Sequence, residues 1–297
     1  MGGPSSEHEV SLATGDSVLK NLDTRLFEPV KIKMFRDGKV WMSGRFTKLE
    51  KAVRSVDVCF LATHGEFGGD GRLQALLEAY DVPYTGSGIL ASALAMNKAR
   101  SRQLFSISGL KTPKTLIVRE DQNFQAQLKF FINKLVRLPV VVKPCSRGSS
   151  VGVSIVHRRN RLKKAIEAAF KYDPEVLIEE FVKGREFICT VVERKTNGST
   201  EAVALPLAEF VPGTGQETAP VGIGDNLVKE IQETAIKAHQ VLGCKDYSRS
   251  DFIFKNNKVY ILETNTIPKQ LKLAGMSARN FLSQLCFRNI RHEATLG

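Results

Sequence analysis

Apolar residues recur along this chain in two rhythms, one of three to four residues and one of two, and the rhythms take turns from end to end. The longer rhythm predicts a helix from the turn Gly2-Gly3-Pro4-Ser5-Ser6 to about Asn21, and a second one carrying Leu73, Leu76 and Leu77. Further helices are predicted over Ile89–Ser108 (closed by Gly109), Gln122–Val136, Arg159–Lys171 and Asn226–Leu242. The shorter rhythm predicts a hairpin over Val30–Met42 around Asp37-Gly38, and a buried strand over Asp57–Thr63. It returns at Lys114–Val118, Leu138–Lys143, Val151–His157, Glu175–Val182, Arg185–Glu193 and Glu201–Phe210, and last in a hairpin over Arg249–Asn265. Strands alternating with helices predict an α/β chain, α+β in part. The turn-rich stretch Val82–Gly88 and Gly184 mark two boundaries, giving expected domains at 1–88, 89–183 and 184–297.

The last hairpin carries the first chemistry. Side chains alternate along a strand, so Arg249 shares a face with Asp251, and Glu263 with Asn265. If the connection through Lys255–Lys258 holds an odd number of residues, such as three, Asp251 lies across from Glu263. Two carboxylates so opposed repel one another unless a cation sits between them, and oxygen-only ligands suit Mg²⁺. Asn265 adds a neutral oxygen and Arg249 a fixed positive charge. An ordinary hairpin with its polar side in water fits these residues equally. Upstream, the strand over Leu138–Lys143 ends in Lys143-Pro144 and enters a glycine/serine loop, Cys145 to Val153. Such a loop lets backbone N–H groups approach phosphate oxygens. No Gly-Lys-Ser/Thr follows, so it is not a Walker A loop. The strand end at Glu179-Glu180-Phe181-Val182 could offer backbone groups to an adenine edge, and Glu186 could accept from ribose hydroxyls. A plain strand with solvated carboxylates is the alternative.

With 297 residues the chain exceeds one small core, and 42% apolar with 25% charged residues is an ordinary globular balance. No run of eighteen apolar residues exists, so no membrane partner is expected. The first residues lack a basic-then-apolar secretory pattern, and the five cysteines are scattered, which suits reduced thiols in a cytoplasm. The formal charge of +12 raises nucleic acid as a partner. Its densest patch, His157 to Lys164, opens a helix whose apolar stripe is Leu162, Ile166 and Phe170, so the charges lie on a solvated face. No aromatic residues interleave with them, and no specific nucleic-acid partner is expected.

Taken in order, Lys98, Lys143-Pro144 with Gly148-Ser149-Ser150, Glu179 to Glu186, and Arg249 and Asp251 with Glu263 and Asn265 resemble an ATP-grasp ligase. Three earlier stretches narrow the likeness: Gly2-Gly3 with Ser5 and Glu7 to Leu12; His64-Gly65; and Pro83 to Gly88 with Ala91-Ser92-Ala93. Together they resemble the D-alanine–D-alanine ligase family over most of the chain. The resemblance implies a three-domain ATP-grasp architecture, an N-terminal parallel-sheet domain followed by two ATP-clasping domains. It implies joining of two D-alanines with ATP through a D-alanyl phosphate, for peptidoglycan precursor synthesis, in a chain compatible with a homodimer. Lys98 and Lys143 would contact ATP phosphates, Glu179, Glu180, Phe181 and Val182 the adenine, and Glu186 the ribose. Asp251, Glu263 and Asn265 would hold two Mg²⁺ ions, with Mn²⁺ as a substitute, and Arg249 would stabilise charge on the transferred phosphoryl group. Glu7 would bind the first substrate's ammonium, Ser149 would orient the substrates with Glu7, and His64 would lie near that substrate's carboxylate.

The chain departs from the family pattern at several places. It begins at the Gly-Gly turn, where the family has a preceding strand, so a parallel sheet short of one strand is expected. Gly69 stands where a second acidic residue is usual. Between Phe210 and Asn226 no tyrosine or lysine matches the family's longer lid, and the residues after Pro268 lack its glycine and serine-leucine pair. Segments absent from this sequence, a diverged nucleotide binder with poor turnover, and a different second substrate each fit these departures.

Overall fold

The structure, a computed structural model, describes residues 1–297 apart from 149, 197–198, 212–215, 268–277 and 291–297. The N-terminal part holds α1 (His8–Asn21), β1 (Ile32–Met34), β2 (Val40–Met42), β3 (Arg45–Thr47), α2 (Leu49–Val53) and α3 (Arg72–Ala79). Two helices follow, α4 (Ile89–Met96) and α5 (Lys98–Ile107). The central part comprises β4 (Thr115–Arg119), α6 (Gln125–Phe130), β5 (Val140–Pro144), β6 (Ser154–Val156), α7 (Leu162–Phe170) and β7 (Glu175–Glu180). The last part comprises β8 (Arg185–Thr196), β9 (Ser199–Ala204), β10 (Ala208–Val211), β11 (Gln216–Thr218), α8 (Asp225–Val241), β12 (Tyr247–Lys255), β13 (Lys258–Asn265) and α9 (Ala278–Asn289).

Two antiparallel sheets dominate. The central one has the order β4-β7-β5-β6 and buries Val118, Val140, Val142, Val176 and Ile178 under Leu162, Ile166 and Ala169 of α7. The larger one runs β11-β10-β8-β12-β13 with β9 also on β8, and packs Phe187, Phe252 and Ile261 against Ile231 and Ala235 of α8. Phe105 of α5 enters this second core, which ties the helix to that sheet. The expected strand over Glu201–Phe210 is two strands, β9 and β10, parted at Leu205-Pro206-Leu207, because a proline cannot donate to a ladder.

Two expectations need correction. The run Asp57–Thr63 forms no strand, and its parallel pairing is reduced to a bridge between Cys59 and Tyr84; a second parallel bridge joins Gly2 to Met34. The hydrogen-bonded N-terminal sheet is the antiparallel meander β1-β2-β3. Residues Val58 to Thr63 border a cavity of about 570 Å³, lined also by Val18, Leu22, Ile32 and Leu73. The helix expected over Ile89–Ser108 is broken at Asn97, whose backbone turns extended (φ −84, ψ 98) and whose side chain accepts from the Arg100 N–H. That cap starts a new helix at Lys98. Gly109, at φ +77, closes it as expected.

Candidate active site

The hairpin β12–β13 sets the centre of the site. Arg249 pairs with Asn265 and Asp251 with Glu263, so one face presents all four side chains. The register is reached by an unexpected route. The turn is two residues, Asn256 and Asn257, both at positive φ (50 and 55) as a tight hairpin turn requires. It pairs Phe252 with Ile261, and the register then shifts before Asp251 meets Glu263, which leaves Leu262 as the extra residue of a β-bulge. Burial records the same change of phase: Val259 and Ile261 are buried, then Thr264, with Glu263 and Asn265 turned to the other face. An even turn plus one bulge residue does the work of the odd connection.

These groups line a cavity of about 320 Å³ that also takes in Glu7, His64, Lys98 and Gly148. Glu7, 6% exposed, stands at the start of α1, and its carboxylate Oε2 lies 3.4 Å from where a Cβ on Gly148 would be. The glycine/serine loop therefore lies against Glu7. His64 is buried, with Nδ1 3.1 Å from the Ile267 carbonyl and Nε2 2.8 Å from the Thr14 hydroxyl. A carbonyl can only accept, so Nδ1 carries the proton and Nε2 accepts from Thr14. Both nitrogens are thereby engaged within the protein, and the ring orders the loop at the cavity wall. Ser149 lies outside the described residues, as do residues 268–277.

The cations each rest on a carboxylate. Lys98, on the first turn of α5, donates to the Arg147 carbonyl at 2.7 Å and sits 3.2 Å from Glu263. Arg249 is 3.0 Å from Asp251 and 3.4 Å from Glu217 of β11. The Lys98 charge, against the cost of burial, holds Glu263 down to about 2. Burial pushes Asp251 up to about 6, with Arg249 opposing and Glu263 adding to the rise. Two carboxylates and an amide oxygen on one strand face suit Mg²⁺, which keeps open positions for phosphate oxygens. Among the described residues no group of three or more acidic, histidine or cysteine side chains forms a closed metal cage.

Of the expected nucleotide residues, Lys98 lines this cavity, whereas Lys143, Glu179 to Val182 and Glu186 do not. Lys143 reaches Glu179 at 2.6 Å, and Arg102 holds the other Glu179 oxygen at 2.9 Å. The Glu179 side chain is therefore committed to a buried ion-pair group. Glu180 ends β7, Phe181 and Val182 follow it, and Glu186 of β8 is half-buried, with burial raising its pKa. Four further residues contribute without a sequence motif that marks them: Arg102, Glu217, and the pair Glu66–Arg147 (3.0 Å), which joins the loop after His64 to the glycine/serine loop. Arg102 was within reach, since it lies one helical turn beyond Lys98. In the stretch where the family carries a longer lid, β10 and β11 pair antiparallel and bring Glu217 to Arg249.

The model of the D-ala D-ala ligase C-terminus matches residues 104–280, and that of the D-ala D-ala ligase N-terminus residues 45–87. The chain belongs to the D-alanine–D-alanine ligase family. A D-alanine–D-alanine ligase of Geobacter sulfurreducens is 37% identical over 294 residues, covering 97% of this chain and 87% of that protein. Among solved structures, the VanG D-Ala:D-Ser ligase of Enterococcus faecalis superposes with a TM-score of 0.82 at 28% identity, over 97% of both chains. The D-alanine–D-alanine ligase of Bacillus anthracis complexed with ATP gives 0.78 at 27%, over 98% of this chain and 96% of that one. The fold is that of the ATP-grasp ligases. No helix among the described residues is long and apolar enough to cross a membrane.

Proposed function

We propose that this protein joins D-alanine to D-alanine at the cost of ATP, through an acyl phosphate, and so supplies a cell-wall precursor in the cytoplasm. The observation that carries the reading is the shared face of Asp251, Glu263 and Asn265 in one cavity with Lys98 and Glu7. Mg²⁺ bound by the three oxygen donors would neutralise phosphate charge during in-line transfer. Lys98 and Lys143 turn from their carboxylates to the ATP phosphates, and Arg249 meets charge developing on the transferred group. The backbone of Glu180 to Val182 borders the adenine, and Glu186 accepts from the ribose. Glu7 receives the first substrate's ammonium, and Ser149 helps to orient it.

Release of ADP is measured with ATP, Mg²⁺ and either D-alanine alone or D-alanine with D-serine. Turnover with D-alanine alone, and no mixed product preferred, is expected, as the nearer relative's name suggests. A preferred D-serine product would move the acceptor assignment to the other reading. ATP binding without turnover on any acceptor would leave a nucleotide binder and overturn the ligase reading.

A further inference from the structure

Arg102 touches no part of the cavity, yet it is 3% exposed and holds two separate elements. Its Nη1 donates to the Ile261 carbonyl of β13 at 2.6 Å and its Nη2 to Glu179 Oε2 of β7 at 2.9 Å. The other oxygen of Glu179 accepts from Lys143 at 2.6 Å. One carboxylate, 4% exposed, is thus shared by a guanidinium and an ammonium. A lysine that swings towards a phosphate loosens its hold on this carboxylate, and a buried carboxylate left without a cation is strongly unfavourable. A guanidinium stays charged throughout, and here a main-chain carbonyl fixes it in place.

We propose that Arg102 is a positioning residue for the nucleotide: it keeps Glu179 neutralised so that Lys143 is free to transfer onto the phosphates of ATP. It sets nucleotide affinity without contacting the nucleotide. This inference rests on Lys143 being a phosphate ligand. It differs from a purely structural staple between β7 and β13, which would lower stability without regard to which substrate is bound.

The test compares R102Q, R102K, K143M, E179Q and the R102Q/E179Q double variant, by calorimetric titration with ATP and by KM for each substrate. R102Q weakens ATP binding roughly tenfold or more while KM for D-alanine stays within about twofold, and R102K recovers most of the loss. In the E179Q background nothing remains to be neutralised, so adding R102Q costs less than about threefold in ATP affinity. Should R102Q alone not fold, a loss in ATP affinity beyond about threefold between E179Q and the double variant still overturns the role. An equal loss in both backgrounds, or ATP affinity unchanged in R102Q, overturns the role of Arg102. If K143M leaves ATP affinity unchanged, the phosphate reading of Lys143 fails and this inference falls with it. If K143M weakens binding and R102Q does not, the phosphate reading stands and Arg102 alone is removed.

Discussion

Replacing Glu263 by glutamine separates metal chemistry from folding. Two charge contacts change together. The Lys98 pair at 3.2 Å is lost, about 5 kcal/mol of attraction at an effective dielectric constant of 20. The repulsion from Asp251, at the roughly 5 Å of directly opposed strand side chains, is relieved by about 3 kcal/mol. The fold therefore loses only about 2 kcal/mol, and Tm falls by roughly 4–8 °C at most. The metal face, by contrast, loses one of its two anionic oxygens. Removing even an outer-shell partner typically costs 10–100-fold, so kcat/KM with Mg·ATP should fall by more than about 100-fold. Thermal melting of the ligand-free protein and D-alanine-dependent ADP release measure the two effects. Turnover within about threefold of the parent would falsify the metal assignment. A melting temperature lower by far more than this sum would show that Glu263 is a folding residue instead.

Three further outcomes follow from other contacts. Gly65→Ala introduces a Cβ 3.1 Å from Glu7 Oε2 at a backbone of φ +71, so KM for the first D-alanine rises while KM for ATP does not; equal KM values would clear Glu7 of that role. Asn97→Ala removes the cap that starts α5 and costs about 1 kcal/mol, with a matching rise in KM for ATP as Lys98 loses its seat. Glu193 is held down to about 2: burial alone would raise it, but His239, the Asp246 N–H and Arg288 outweigh that. Its folded value is depressed from the ordinary 4.5, so its stabilisation is complete above 4.5 and is lost as pH falls towards 2. Acid titration followed by circular dichroism should show a shallower loss of stability across that window in Glu193→Gln.

Local rhythm made much of this fold legible, and the gaps have physical causes. The helices α1, α7 and α8 stand close to where their apolar spacing puts them, because each buries one stripe. Asp57–Thr63 is as apolar as a strand but has a bridge at Cys59 alone, and backbone partners come from the tertiary fold, which composition does not record. The broken helix at Asn97 did carry a signal, a capping residue inside an otherwise continuous apolar pattern. Opposition of Asp251 and Glu263 was legible as a question of parity, although a bulge rather than the turn supplies it. Glu179 is expected on the nucleotide side because a strand end can offer backbone groups to an adenine edge. Its pairing with Arg102 and Lys143 joins residues 77 and 36 positions apart, a distance at which side-chain partners leave no mark on sequence.

The bulge has a consequence for how this hairpin tolerates deletion. Take Leu262 out, and Phe252 still meets Ile261 while Asp251 still meets Glu263. No cross-strand neighbour changes hands. What disappears is the local bend and added twist that a bulge gives its strand. A chain lacking that leucine would keep every partner in the hairpin and aim its acidic pair differently, so in this molecule the direction of the carboxylates is encoded by a residue that the ladder does not need.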